Sequence, residues 1–256
     1  MSNVVHEISG TVGLVTLNRP DRMNAINVSL ARELHNAITA LGDRADVNVI
    51  LIRGSGGNFC AGGDFDEVQR LREEGPDALR SLFDAFKTAC AVIERVPIPV
   101  VTAVEGVAMA GGFELIQAAD IVLVSDAARV SDNHVNFGMI PGGGSTARLP
   151  RIVGRQNALG LLLSGDRLNG AELVERGLAY RSFPANDFDV SVEKFVAKLA
   201  ARDRSAVVDI KRLVDHGLAQ TLDAALAAET DAVVSRIAGQ AGRDGVAAFK
   251  NREVRT

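Results

Sequence analysis

The chain has 256 residues, 47% hydrophobic and 23% charged, the balance of a soluble globular protein. Its 28 basic and 32 acidic residues leave a net charge of −4, with no Trp and one Tyr, so a nucleic-acid surface that stacks bases on aromatic side chains is not expected. No apolar run approaches the roughly 18 residues that span a bilayer, and Met1-Ser2-Asn3-Val4-Val5-His6-Glu7 lacks the basic start and apolar core of a signal peptide, so a cytoplasmic protein without membrane contact is expected.

Val4 to Leu17 reads as two short strands broken near Ser9-Gly10, and Asn18-Arg19-Pro20-Asp21-Arg22 as a loop. A helix is predicted from Asn27 or Ser29 to about Arg44, with Leu30, Leu34, Ile38 and Leu41 on one face. Val47 to Arg53 reads as a buried strand. Asp77 to Val96 carries a helical stripe of Leu79, Leu82, Phe83, Phe86, Cys90 and Ile93, ended by Pro97 and Pro99. Val100 to Val104 is continuously apolar, as a strand covered on both faces should be. A helix from about Gly112 to Ala119 and a second apolar strand, Ile121 to Ser125, follow. Strands alternating with helices predict an α/β fold. From about Asp187 the pattern changes to helical stretches at 187–202, 205–217, 221–235 and 239–252, with no strand candidate among them. The expected division is a core over residues 1–190 and a helical C-terminal segment over 191–256. The apolar residues Val233, Val234, Ile237 and Val246 to Phe249 offer that segment faces for packing within the chain or between subunits.

The chemistry concentrates in glycine-rich turns. Asn58-Phe59-Cys60-Ala61-Gly62-Gly63-Asp64 follows the run Val49 to Ile52, and Gly106-Val107-Ala108-Met109-Ala110-Gly111-Gly112-Phe113-Glu114 follows Val100 to Val104. Each leads into a helical pattern. Glycine lets backbone approach a ligand with its N–H exposed. A helix start leaves N–H groups unpartnered and carries partial positive charge. Two such turns converging would hold a developing anion; the alternative is that the glycines only make tight turns. Gly138 to Thr146 is a further turn leading into a helix. Cys60 has no neighbouring His or basic residue to lower its pKa and reads as small apolar filler. Cys60 and Cys90, with the scattered His6, His35, His134 and His216, show no metal-ligand spacing. The turns also lack the Gly-x-Gly-x-x-Gly spacing of a dinucleotide site, so neither a metal nor a redox cofactor is expected.

Taken together, Asn18-Arg19-Pro20, Arg22 to Ile26, Phe59 to Asp64, Ala110 to Leu115, Ala119-Asp120-Ile121, Phe137 to Gly144, Leu163 to Arg167 and Ala171 to Leu178 resemble the enoyl-CoA hydratase/isomerase (crotonase) superfamily over nearly the whole chain. The resemblance implies a spiral of ββα units followed by a helical segment used in assembly, and a homotrimer or dimer of trimers. It implies an acyl-CoA thioester substrate of fatty-acid metabolism, with coenzyme A entering as part of the substrate and no separate cofactor. By position, the Gly63 and Gly111 N–H groups would form the oxyanion hole, and Glu114 would hold water and shuttle protons; the alternative for Glu114 is an acid favoured by the helix dipole. Arg22, Ala25, Ile26, Ala61, Gly62 and Asp64 match CoA contacts, Asp64 being also a candidate helix N-cap. Phe65 falls on the expected pocket wall with Val68, Leu71 and residues 76–86, and Phe249 and Lys250 match a C-terminal region that reaches CoA. One position departs from the pattern: hydratases of the family carry a second Glu where this chain has His134. A histidine can donate or accept a proton near neutral pH, so Glu114 and His134 could form an acid–base pair for hydration, with Asp132 and Asn133 as orienting partners. Double-bond isomerisation, hydrolysis of a β-ketoacyl-CoA C–C bond using His134, and non-catalytic acyl-CoA binding are the alternatives.

Overall fold

A computed structural model describes residues 2–240, 242, 243 and 245. β1 (Val4–Ser9) and β2 (Val12–Leu17) form an antiparallel hairpin that turns at Gly10, where φ is +60°. From β2 the chain crosses over through α1 (Val28–Gly42) to β3 (Val49–Gly54), which pairs parallel with β2. Asn27 starts α1 as its N-cap, its side chain accepting from the Leu30 N–H at 2.7 Å, which satisfies a donor the helix cannot. Leu30, Leu34 and Ile38 are fully buried, each contributing roughly 1.5–3 kcal/mol relative to exposure.

α2 (Phe65–Glu74) and α3 (Pro76–Arg95) come next, then β4 (Val100–Val104), β5 (Val107–Met109), α4 (Gly111–Ile116), β6 (Ile121–Ser125) and β7 (Arg129–Ser131). α5 (Ser145–Ser164), α6 (Gly170–Glu175), β8 (Arg181–Phe183) and α7 (Phe188–Ala200) complete this region. The main sheet runs β1-β2-β3-β4-β6-β8, parallel from β2 onward. β5 and β7 form a second parallel layer, extended by single bridges between Cys60 and Ala108 and between Val130 and Leu168. After β3, β4 and β6 the chain therefore steps into the second layer, and the β3 and β4 steps go on directly into helices. This is the expected spiral of ββα units.

Side chains alternate across the main sheet. Val49, Leu51, Val101, Ala103 and Leu123 form one buried cluster with Phe188, Val192, Val196 and Ala200 of α7. Gly13, on the other face, lies against Leu41 of α1. The expected boundary at residue 190 therefore falls inside a helix whose apolar stripe closes the core. The compact units are instead residues 1–202 and 203–256. β8, with three residues, is a strand that no periodicity in the sequence announces. In the second unit, α8 (Arg204–Gly217) and α9 (Leu222–Ala238) pack against each other. The helical stretch expected at 239–252 falls mostly outside the described residues.

Candidate active site

The two glycine turns are fastened to each other by backbone. Phe59 N–H donates to Glu105 C=O, Cys60 N–H to Val107 C=O, and Met109 N–H to Cys60 C=O at 3.0, 2.9 and 3.0 Å. Asn58 Oδ1 adds a bond from Val107 N–H. Gly112 permits this approach, because a Cβ there would stand 2.2 Å from the Cys60 carbonyl oxygen. Burial pushes the Cys60 thiol up to about 12, in keeping with its reading as apolar filler.

The outer flank of the first turn docks on residues 18–26. Ile26 N–H donates to Gly62 C=O and Asp64 N–H to Ile26 C=O, at 2.7 and 2.8 Å. In this parallel bridge the groups flanking Gly63 are used, so Gly63's own N–H points away from Ile26. Gly111 opens α4, where the first N–H groups have no intrahelical acceptor. Both glycines line one cavity of about 340 Å3 with Glu114 and His134. Its walls are apolar, with Ile26, Phe65, Val68, Leu82 and Phe86 among them and Phe137, Met139 and Ile140 at an exposed rim. Phe83, within the stretch 76–86 expected on the pocket wall, faces this cavity and is partly exposed.

Glu114 is only 2% exposed. Its Oε1 accepts from the Gly143 N–H at 2.7 Å and the Ser145 N–H at 3.1 Å. The carboxylate thus sits at the N-terminus of α5, the natural place for an anion. Burial raises the Glu114 pKa above its ordinary value, outweighing the Ser145 hydrogen bond, the His134 charge and the Gly143 hydrogen bond, which act the other way. His134 opens a short 3-10 helix, His134–Phe137, and its Nδ1 lies 2.6 Å from Asp132 Oδ1. Burial opposes the imidazolium, yet the Asp132 hydrogen bond and charge, with the Glu114 charge, leave the His134 pKa above its ordinary value. With Nδ1 committed to Asp132, Nε2 is the nitrogen left for a ligand. Asp132 is 2% exposed and, among the described residues, its Oδ2 has no partner.

Of the residues expected to contact CoA, Ile26, Ala61 and Phe65 line the cavity. Ala25 is buried and its carbonyl accepts from Arg19. Gly62 holds the turn at φ +102°. Arg22 is exposed and paired with Asp66 at 2.8 Å. Asp64 caps α2 through Asp66 and Glu67 N–H and pairs with Arg19 at 2.6 Å, so the N-cap reading describes its observed contacts. Phe249 and Lys250 lie outside the described residues. Sequence reasoning missed Gly143 and Ser145 as the donors that hold Glu114. The signal was there, since a glycine turn entering a helix is an anion site, and the anion is this protein's own carboxylate. It also missed Asn24, fully buried, whose Nδ2 donates to Ser55 and Asn58 carbonyls.

Residues 7–255 match the family model described as Enoyl-CoA hydratase/isomerase. The chain belongs to this family. It is 32% identical over 238 residues to a probable enoyl-CoA hydratase of Mycobacterium tuberculosis, covering 93% of this chain and 91% of that one. It is 31% identical over 248 residues to a crotonyl-CoA hydratase of Syntrophomonas wolfei, covering 96% and 94%. Among solved structures, an enoyl-CoA hydratase from Bacillus anthracis superposes with a TM-score of 0.91 at 29% identity over 98% of this chain and 96% of that one. One from Polaromonas sp. JS666 gives 0.92 at 29% identity over 97% of each chain. The crotonase-type spiral read from the sequence is thus the fold of the family. No helix among the described residues is long and apolar enough to cross a membrane.

Proposed function

We propose that this enoyl-CoA hydratase/isomerase family chain adds water to a 2-enoyl-CoA to give a 3-hydroxyacyl-CoA. The observation that carries the reading is the convergence of the Gly63 and Gly111 turns with Glu114 and His134 on one apolar cavity. The relatives named as enoyl-CoA and crotonyl-CoA hydratases support the same reaction. The thioester oxygen accepts from the Gly63 and Gly111 N–H groups, which stabilise the enolate more than the neutral substrate.

The raised pKa values divide the remaining work. Glu114 as carboxylate is a stronger base than an ordinary one, so it takes a proton from water as the oxygen bonds to the β-carbon. His134 as imidazolium gives a proton from Nε2 to the α-carbon. One C–O bond and one C–H bond form as the C=C π bond and one water O–H bond break, and a proton passes back from Glu114 to His134 to close the cycle. Nothing in this sequence calls for a metal or redox cofactor, and coenzyme A enters with the substrate. Arg22, Ala25, Ala61 and Gly62 frame the approach of the CoA moiety, and Phe65 covers the acyl side. The chain works in the cytoplasm as a homotrimer or dimer of trimers.

Crotonyl-CoA hydration, followed by the loss of enoyl-thioester absorbance, tests the proposal. Glu114→Gln is expected to lower kcat by about 10²–10⁴-fold, and His134→Ala to lower it within the same range. Near-wild-type turnover of Glu114→Gln would sink the reading.

A further inference from the structure

The first unit holds a second cavity, of about 510 Å3, between the edge strand β8 and α7, and none of its lining residues lines the acyl cavity. Its floor is apolar: Phe183, Phe195 and Leu199 are partly buried against the core. The Tyr180 ring lies 5.6 Å from that of Phe195, with the Arg181 guanidinium 5.3 Å over its centre. Its walls are cationic, formed by Arg181, Lys194, Lys198 and Arg202, and among the described residues no carboxylate lines it. In a chain whose net charge is −4, a cavity with only cations on its walls departs from the average surface. Among the described residues none of these cations forms an ion pair. Lys194 and Lys198 are spaced i,i+4 on α7, an arrangement of like charges that weakens a helix unless an anion sits between them.

We propose that this cavity binds a phosphorylated aromatic small molecule of nucleotide size. The volume is in the range of about 300–1,000 Å3 for small-molecule sites. Arginine and lysine suit phosphate oxygens, and the Phe195 ring, with Tyr180 tilted against it and Arg181 over Tyr180, offers an aromatic floor to a flat base. An acidic peptide would use the cations and leave the aromatic floor empty.

The sequence supplies the probe, because Tyr180 is the protein's single Tyr and there is no Trp. The full chain labelled with 3-fluorotyrosine gives one ¹⁹F resonance, at this cavity. ADP is expected to move it saturably, and inorganic pyrophosphate at matched ionic strength to bind more weakly. Lys194→Glu combined with Lys198→Glu is expected to weaken ADP at least about tenfold while crotonyl-CoA turnover persists, which shows the variant is folded. Arg181→Gln is measured in parallel as an independent variant, expected to weaken ADP in the same direction. CoA, which carries the same adenosine phosphate, is titrated beside ADP. A shift by ADP alone assigns the cavity to free nucleotide; equal midpoints assign it to the nucleotide group whatever it is attached to. The proposal is overturned if ADP gives no saturable shift at millimolar concentration, if the variants bind ADP as wild type does, if pyrophosphate binds as tightly as ADP, or if oligoglutamate moves the resonance where ADP does not.

Discussion

Asp132 meets His134 through one hydrogen bond of 2.6 Å, so in the proposed mechanism the pH profile of hydration depends on Asp132 as well as on His134. In that mechanism the acid limb is set by Glu114, whose pKa burial raises above the ordinary carboxylate value of 4.5. The basic limb, set by loss of the His134 proton, lies above 6.5. Asp132→Asn removes the charge that supports the imidazolium, so the basic limb of kcat should move to lower pH, and the acid limb, whose Glu114 pKa the Asp132 charge raises as a minor cause, should move the same way by less. A pH–rate profile reads this directly, and an unmoved basic limb would remove His134 from the role of acid. The same sign holds for stability. The contribution of His134 is fully present below pH 6.5 and is lost as pH rises through its raised folded-state pKa, and Asp132→Asn flattens that dependence. Glu114 was legible in the sequence because it follows a glycine turn by a fixed, short step. The Asp132–His134 pair was legible only as a possibility, since a spacing of two residues does not say whether side chains meet. The pairing depends on the entry into the 3-10 helix at His134.

At the scale of elements, the joint between the two glycine turns is made of backbone, and backbone cannot yield. Gly112→Ala would set a methyl 2.2 Å from the Cys60 carbonyl oxygen and 3.0 Å from its carbon. A loss of at least about 1–3 kcal/mol is expected, with kcat falling as the Gly63 and Gly111 amides separate; thermal melts and turnover check both. Glu33 on α1 makes a second joint, accepting from Asn3 and Val4 N–H at 2.7 and 3.0 Å and from Ser2 and Ser29 hydroxyls. Burial works against its carboxylate, yet the Ser2, Ser29, Val4 and Asn3 hydrogen bonds hold its pKa down to about 2. Its depressed folded pKa contributes stability above pH 4.5 that is lost as pH falls toward 2. Glu33→Gln should cost about 1–2 kcal/mol at neutral pH and make acid unfolding less steep, as denaturant titrations at several pH values would show. The apolar strands β4 and β6 were readable to the residue, because strands buried on both faces are written as unbroken apolar runs. β5, β7 and β8 were not, because three residues carry no period and their pairing is fixed by the layer they join.

At the scale of the whole molecule, the sequence divides by what its helices bury. α7 looked like the first of a helical series, and only the sheet it covers makes it part of the core. α8 and α9 bury none of their residues. Ile210 and Val214 on α8 and Leu218 just past its end recur every fourth position, and Leu218 and Leu222 are 85% and 73% exposed. Isolated helices of this length are marginal in water, and packing supplies most of a helix's stability. If the proposed homotrimer or dimer of trimers forms through these faces, Leu218→Asp should lower the mass measured by sedimentation. The naked faces of α8 and α9 then carry a consequence governed by mass action. A part of the protein whose stabilising surface belongs to its neighbours has no fixed melting temperature. Its transition should climb with protein concentration and retreat on dilution, while the core over residues 1–202, closed by α7, melts at a temperature that dilution leaves alone.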